Sequence, residues 1–220
     1  MPRIARLIAP GIPHHVTQRG NRRMETFFCD QDYQDYLDLM TEWCAKCHVT
    51  VWAYCLMPNH IHLIAVPESE DGLRRAIGEA HRRYSLMINR RQGWTGHLWQ
   101  GRFASFPMDE KYLLAAAKYI ETNPVRAHLV PDPYAWNWSS AKAHAAGMDD
   151  MLVKVAPLLE RVGAWQPFLS EADQVDASMI RRHERTGRAL GGDEFLGLLE
   201  TSLMRPVKLQ KAGRKKNADK

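Results

Sequence analysis

The sequence predicts an α+β fold in which helices cover one face of an antiparallel sheet. Short runs rich in β-branched and aromatic residues predict strands, and longer runs with apolar residues at helical spacing predict helices. Along the chain these segments follow the order strand, helix, strand, strand, helix, strand, helix. This order is that of a ferredoxin-like fold. From about residue 148 the composition predicts a helical extension.

Four segments predict the strands, over residues 14–19, 49–56, 60–66 and 96–106. Pro58 has no amide hydrogen to donate, so it belongs in the turn before the third strand. Only three residues separate the second strand from the third, which predicts a hairpin. In the fourth strand, Trp99 and Phe103 are predicted either to pack in the core or to stack on unpaired bases.

Three helices are predicted in the same part of the chain, at about residues 30–48, 72–91 and 109–122. Asp30 and Asp109 are suited to cap the first and the third of them. Pro124 disfavours the helical conformation at Asn123, so the third helix is predicted to end there.

Charge and composition narrow the class of partner. The chain has 220 residues and a net charge of +5, and its pI of about 9.1 favours an anionic partner. No apolar run is long enough to cross a bilayer, and residues 1–13 lack the apolar core of a signal peptide. We therefore expect a cytoplasmic protein with no membrane partner and with free cysteine thiols. Cys44 and Cys47 lie in a helical pattern without a second Cys/His pair, so zinc is not predicted.

Two histidines mark the beginning of the third predicted strand. Side chains two positions apart on a strand point to the same side, so His60 and His62 project from one face of the sheet. A neutral imidazole is the commonest metal ligand in proteins, and this pair could form two corners of a metal site. The pair alone is equally consistent with two partly buried histidines that are hydrogen-bonded to the backbone.

The third predicted helix presents a tyrosine beside small residues. Ala115 and Ala116 leave Tyr119 next to a flat surface, and Asn123 follows at the end of the helix with an amide oxygen that can turn outwards. Taken alone, Tyr119 is more simply explained as an ordinary tyrosine of an amphipathic helix.

The second predicted helix carries many arginines on the side that does not face the core. Glu79 is the main acidic residue among them. Such a face is often merely solvated, but the imbalance of charge favours contact with phosphate.

Five segments, in this order and spacing, resemble the HUH single-tyrosine nucleases. More closely, they resemble the single-tyrosine transposases of the IS200/IS605 type and their REP-associated relatives. The matching segments are His15–Asn21, Met57–His62, Gly96–Phe103, Tyr119–Ala127 and Trp138–Ser140. The resemblance covers roughly residues 1–147, which we predict to be the catalytic domain.

The resemblance implies an activity and a set of site residues. Tyr119 would be the nucleophile that forms a 5′-phosphotyrosine, while His60 and His62 would bind Mg²⁺ or Mn²⁺. Asn123 stands where relatives carry the glutamine or asparagine that completes the metal site. The substrate would be single-stranded DNA next to a hairpin, and the protein would act as a monomer or homodimer.

A basic surface for this DNA is predicted from the same resemblance. Its candidate residues are Arg19, Arg22, Arg23, Arg74, Arg75, Arg82, Arg83 and Arg102. Two other functions stay open: a protein on the same fold that binds hairpin DNA or RNA without cutting it, and a metal hydrolase that uses water at the histidines.

The extension is predicted to span residues 148–204, with a basic disordered tail over 205–220. Helices are predicted at 151–162, 176–186 and 194–202, with Pro157 as a kink or break in the first. The last two, around a glycine turn, would suit a helix-turn-helix contact with DNA, or equally a helical cap on the catalytic domain.

Overall fold

The computed structural model describes residues 6–171 and 177–208. The strands are β1 (His14–Arg19), β2 (Val49–Met57), β3 (His60–Pro67) and β4 (Ala104–Pro107). The helices are α1 (Asp30–Lys46), α2 (Gly72–Gln92), α3 (Glu110–Glu121), α4 (Asn123–Arg126), α5 (Ala141–Ala146), α6 (Ala156–Val162), α7 (Trp165–Ser170), α8 (Ala177–Thr186) and α9 (Asp193–Leu203).

The four strands form one antiparallel sheet in the order β2-β3-β1-β4. The predicted α+β, ferredoxin-like arrangement is confirmed, including the hairpin between β2 and β3. Because β3 lies in the middle of the sheet beside β1, the two histidines at its start are flanked by strands on both sides.

The helices cover both faces of the sheet, which differs from the prediction of one covered face. Leu63 and Val16 pack in the same apolar cluster as α1 and α2, whereas Ile64 and Phe106 pack in a second cluster with α3. The cause lies in β3, where residues 61–65 are all buried. A strand whose successive side chains are apolar needs cover on both sides.

The fourth strand is shorter than the predicted 96–106. Gly96 and Gly101 have φ angles of 97° and 72°, in the left-handed region that a regular strand does not use. The segment before β4 therefore forms a loop. Within this loop, Trp99 forms an isolated antiparallel bridge with Gly20, the residue that follows β1. Trp99 and Phe103 are buried in the core. Of the two roles predicted for them, core packing and stacking on unpaired bases, both residues have the first.

The extension packs onto the face of the sheet that α3 covers. Ile180 of α8 and Leu190 belong to the same apolar cluster as Phe106. The Leu190 amide also donates to the Pro107 carbonyl of β4 at 2.9 Å. Pro157 lies in the first turn of α6, where its missing N–H costs nothing, and therefore begins that helix rather than kinking it.

One sequence-based prediction, the basic tail at the chain's end, lies partly outside the described residues. Residues 209–220 of the predicted basic tail lie outside the described residues. Within the described ranges, no helix combines the length and apolarity needed to span a membrane.

Candidate active site

The two predicted ligand histidines lie together at the start of β3. Their rings are nearly perpendicular, with centroids 5.0 Å apart. His60 is opposite Arg19 on β1, and His62 is opposite Thr17. His62 is 2% exposed, whereas His60 is partly open to solvent. Alternation along the strand thus places both imidazoles on the face that α3 covers.

A third histidine, which the sequence analysis did not single out as a site residue, completes this cluster. His15 is fully buried on β1, and its ring stacks on that of His62 with centroids 5.2 Å apart. The His15 Nε2 and His62 Nδ1 atoms are 3.0 Å apart. On the other side, His60 Nδ1 is 2.6 Å from the Asn59 side-chain oxygen. Both predicted ligand histidines therefore have their Nδ1 edges occupied.

The α3 helix brings Tyr119 to this cluster within a single chain. The Tyr119 ring is nearly perpendicular to the His62 ring, and the two centroids are 5.6 Å apart. The Arg126 guanidinium lies over the Tyr119 ring, 3.9 Å from its centroid, and also donates to the Tyr119 carbonyl at 2.7 Å. Tyr119 is half-buried, so its ring packs against the protein and is still partly exposed to solvent.

Asn123 lies just after Tyr119 in the chain. The α3 helix ends at Glu121, and Asn123 begins the short helix α4 with Pro124 in its first turn. Asn123 is 9% exposed. Its Nδ2 atom is buried and has no hydrogen-bond partner among the residues that the structure describes.

The extension contributes a carboxylate that was not predicted. Glu184 Oε1 on α8 lies 3.6 Å from His62 Nδ1 and 3.9 Å from His15 Nε2. It has no hydrogen-bond partner within the described ranges. Ligand atoms of His15, His62 and Glu184 all lie within 4.8 Å of one another. Local sequence patterns do not indicate this contact, because Glu184 is far along the chain and lies outside the segments that carry the resemblance.

Burial keeps the histidines neutral. It lowers the pKa of His60 to about 4 and that of His15 to about 3, and it holds the pKa of His62 well below its usual value. At neutral pH each imidazole therefore keeps one lone pair for a hydrogen bond or an ion. Burial acts in the opposite direction on the Glu184 carboxyl, whose pKa it raises to about 7.

Tyr119 experiences opposing influences. Burial and the Glu184 charge raise the pKa of its phenol, whereas the positive charges of Arg126, Arg181 and Arg19 lower it. Burial is the largest of these influences, so the pKa of the phenol is raised although three arginines favour its ionised form. Arg126 and Arg181 were not among the predicted site residues.

The predicted DNA-binding arginines divide between two faces of the sheet. Arg19 ends β1 beside His60, and Arg22 and Arg23 follow on an exposed turn. The four arginines of α2 lie on the solvent side of a helix that packs on the opposite face from α3. Three of them form ion pairs within that helix region, namely Arg74 and Arg75 with Asp71, and Arg82 with Glu79. The structure therefore does not bring the α2 arginines next to Tyr119. Arg102 is exposed in the loop before β4.

Residues 11–123 match the family model described as "Transposase IS200 like", which is slightly more than half of the chain. The chain belongs to the IS200-like transposase family. No curated protein sequence matches it.

One solved structure, a REP-associated tyrosine transposase bound to a REP hairpin, supports the fold, with a TM-score of 0.57 and 22% sequence identity. The match covers 70% of this IS200-like chain and 92% of that one. A candidate transposase from Deinococcus radiodurans matches with a TM-score of 0.39 and 18% identity, over 55% of this chain and 97% of that chain.

The donor chemistry of the site fits the divalent ion that the resemblance implies. His60 and His62 are neutral imidazoles on one face of β3, and the side chain of Asn123, at the start of α4, carries an amide oxygen. Mixed nitrogen and oxygen donors of this kind suit Mn²⁺ at least as well as Mg²⁺.

Proposed function

We propose that this chain is a metal-dependent transposase that cleaves and rejoins single-stranded DNA next to hairpins, with Tyr119 as the nucleophile. The observation that carries the proposal is the 5.6 Å separation of the Tyr119 and His62 ring centroids. The ring of a tyrosine whose hydroxyl can form a phosphate ester thus lies beside His62, one of the two histidines proposed to bind the ion. This arrangement forms within one chain, which supports action as a monomer, although a homodimer stays a prediction.

The reaction is a transesterification at phosphorus. The Tyr119 oxygen attacks the scissile phosphate, and a bond from that oxygen to phosphorus forms as the bond to the 3′-oxygen breaks. The 5′-phosphate stays attached to Tyr119, and the released 3′-oxygen takes up a proton to become a 3′-hydroxyl. Because the ester keeps the energy of the broken bond, attack by another 3′-hydroxyl rejoins DNA without ATP.

Arg126 is the residue best placed to favour the reactive phenolate. A free phenol is a weak nucleophile until it loses its proton. The Arg126 guanidinium, 3.9 Å from the ring centroid, carries a permanent positive charge that opposes the effect of burial. We assign Arg126 the role of stabilising negative charge on Tyr119 during attack and during release.

His60, His62 and the Asn123 amide oxygen would bind Mg²⁺ or Mn²⁺. When bound, the ion supplies positive charge that polarises and orients the scissile phosphate. The lowered pKa values of both histidines keep them available as ligands at neutral pH. Neither imidazole therefore has to lose a proton before it can bind an ion.

The DNA surface is proposed to include Arg19, Arg22, Arg23, Arg74, Arg75, Arg82, Arg83 and Arg102. Arg19 lies next to His60 through strand pairing and is the nearest of these to the site. Beside Arg22, a cavity of about 180 Å³ is lined by Trp94 and His97. Trp94 is 40% exposed, so its ring can stack on an unpaired base.

A gel assay tests the proposal against its alternatives. A labelled single-stranded hairpin oligonucleotide is incubated with the protein and Mn²⁺ and then separated under denaturing conditions. We expect a covalent protein–DNA adduct that the Tyr119→Phe variant does not form. DNA that is bound in a native gel but never cut would instead indicate a hairpin-binding protein. Cleavage that persists in Tyr119→Phe would indicate a metal hydrolase that uses water.

A cytoplasmic location also stays a prediction.

A further inference from the structure

The Nδ1 atoms of both ligand histidines face groups that are able to accept a hydrogen bond. His60 Nδ1 is 2.6 Å from Asn59 Oδ1, and His62 Nδ1 is 3.0 Å from His15 Nε2. These partners differ in kind, since one is an amide oxygen from the adjacent turn and the other is an imidazole from β1. Both are close enough for a hydrogen bond, and each is directed at the same nitrogen of its histidine.

The position of the hydrogen decides which nitrogen can hold an ion. A neutral imidazole carries one N–H and one lone pair, and the hydrogen bond made by one nitrogen sets the state of the other. Asn59 Oδ1 can only accept, so the hydrogen of His60 belongs on Nδ1. The lone pair of His60 is then on Nε2. If His15 Nε2 accepts from His62, the same holds for His62.

We propose that Asn59, His15 and Glu184 are positioning residues that hold His60 and His62 with their hydrogens on Nδ1 and their lone pairs on Nε2. The inference rests on the proposed function, in which both histidines bind the divalent ion. Both Nε2 atoms would then serve as the ligand atoms. Hydrogen bonds at the far nitrogen commonly orient histidine ligands and raise their basicity.

Glu184 supports this arrangement through its charge. Its Oε1 atom lies 3.6 Å from His62 Nδ1, slightly nearer than the 3.9 Å to His15 Nε2. The negative charge of a carboxylate in this position stabilises the tautomer of His62 that carries its hydrogen on Nδ1. The extension, through α8, thereby takes part in preparing a ligand that β3 carries.

Two other arrangements of these atoms are chemically distinct. His15 Nε2–H could instead donate to His62 Nδ1, which would put the His62 hydrogen on Nε2. Alternatively, His15 Nε2, His62 Nδ1 and Glu184 Oε1 could themselves bind an ion, since these atoms are 3.0–3.9 Å apart. In both cases His62 Nδ1 carries a lone pair. The hydrogen position on His62 therefore separates the proposal from both.

The decisive experiment is two-bond ¹H–¹⁵N correlation NMR on the full-length, metal-free protein at neutral pH. We expect Nδ1 of His60 and of His62 to have the shift of a protonated nitrogen and Nε2 that of an unprotonated one. A His62 that carries its hydrogen on Nε2 would overturn the proposal. If Mn²⁺ binding and the DNA adduct are normal in that case, only this inference fails and the proposed function stands.

Variants of His15 and Asn59 test the positioning role by calorimetric Mn²⁺ titration. His15→Phe keeps a ring without an acceptor, and we expect it to weaken Mn²⁺ binding by about 10- to 100-fold. His15→Gln restores an acceptor oxygen and should recover most of that loss. Asn59→Ala and Asn59→Asp form the equivalent pair for His60. Equal affinities within either pair would contradict the role of that residue.

Glu184→Gln removes the charge and keeps the shape of the side chain. We expect weaker Mn²⁺ binding, by less than the effect of His15→Phe, with the His62 hydrogen still on Nδ1. Glu194→Gln on α9 is the matched control and should leave Mn²⁺ affinity unchanged. Unchanged or tighter Mn²⁺ binding in Glu184→Gln would show that the carboxylate does not support the ligand.

Discussion

The Tyr119 ring lies perpendicular to the His62 ring at a centroid separation of 5.6 Å, although 56 positions of sequence and two separate elements lie between them. The contact depends on α3 covering the face of the sheet on which β3 places its two histidines. The contact between the nucleophile candidate and the histidines therefore depends on individual side chains that can be substituted one at a time.

Removal of the Arg126 charge should slow cleavage. We expect Arg126→Ala to cleave a hairpin oligonucleotide about tenfold more slowly at neutral pH, because the phenolate loses a stabilising cation over its ring. The deficit should shrink as the pH is raised, since the phenol then ionises more readily. Arg126→Lys should recover part of the rate. A pH–rate profile of Arg126→Ala that is parallel to that of the unchanged protein would contradict this role.

Acid should destabilise the fold through its buried neutral histidines. Burial lowers the pKa of His14 and His60 to about 4 and that of His15 and His81 to about 3. The unfolded chain binds protons at these residues near pH 6.5, so the free energy of unfolding should fall as the pH drops from 6.5 towards 4. Each such histidine contributes about 1.4 kcal/mol per pH unit in this window.

Glu184 opposes part of this pH effect. The pKa of its carboxyl is raised to about 7, so the stability it contributes is present below its unfolded value and is lost as the pH rises towards 7. One carboxyl does not offset four histidines. Urea unfolding of the metal-free protein at pH 7 and pH 5.5 measures the balance. A free energy of unfolding that is unchanged or larger at pH 5.5 would contradict the prediction.

Glu121 should be the main polar anchor of the helix that carries Tyr119. Its buried carboxylate accepts from Ser140 Oγ at 2.5 Å and Trp165 Nε1 at 2.7 Å, and it lies 2.7 Å from His144 Nδ1. We expect Glu121→Ala to cost about 3 kcal/mol in urea unfolding, because three buried polar groups each lose one hydrogen-bond partner. Glu110→Ala, on the exposed side of α3, should cost less than about 1 kcal/mol. Equal effects of the two substitutions would refute the anchor.

The α2 arginines, on the face of the sheet opposite Tyr119, are proposed to contact the phosphates of the hairpin duplex. Arg82→Ala combined with Arg83→Ala should weaken hairpin binding and reduce the slope of log K against log salt by about one to two. Lys142→Ala combined with Lys154→Ala removes two exposed charges elsewhere and serves as the control. Unchanged affinity and slope in the α2 variant would exclude that helix as a DNA contact.

The sequence was sufficient for β1, β2 and β3, for the hairpin and for the positions of His60, His62 and Tyr119, because each follows from local patterning or from a matching motif. His15 lay within a matching motif, but its contact with His62 depends on how β1 pairs with β3, which local patterns do not specify. Glu184 depends on where α8 docks, a long-range packing event. The face covered by α3 was also missed, since the unbroken apolar run in β3 was not interpreted as a strand buried on both sides.

The most direct test of the central claim is peptide mapping of the covalent adduct. A hairpin oligonucleotide is reacted with the full-length protein and Mn²⁺, digested with protease and nuclease, and analysed by tandem mass spectrometry. The account predicts a nucleotide attached through its 5′-phosphate to Tyr119, which lies near the C-terminal end of α3. An adduct on another residue, or cleaved DNA with no adduct at all, would contradict it.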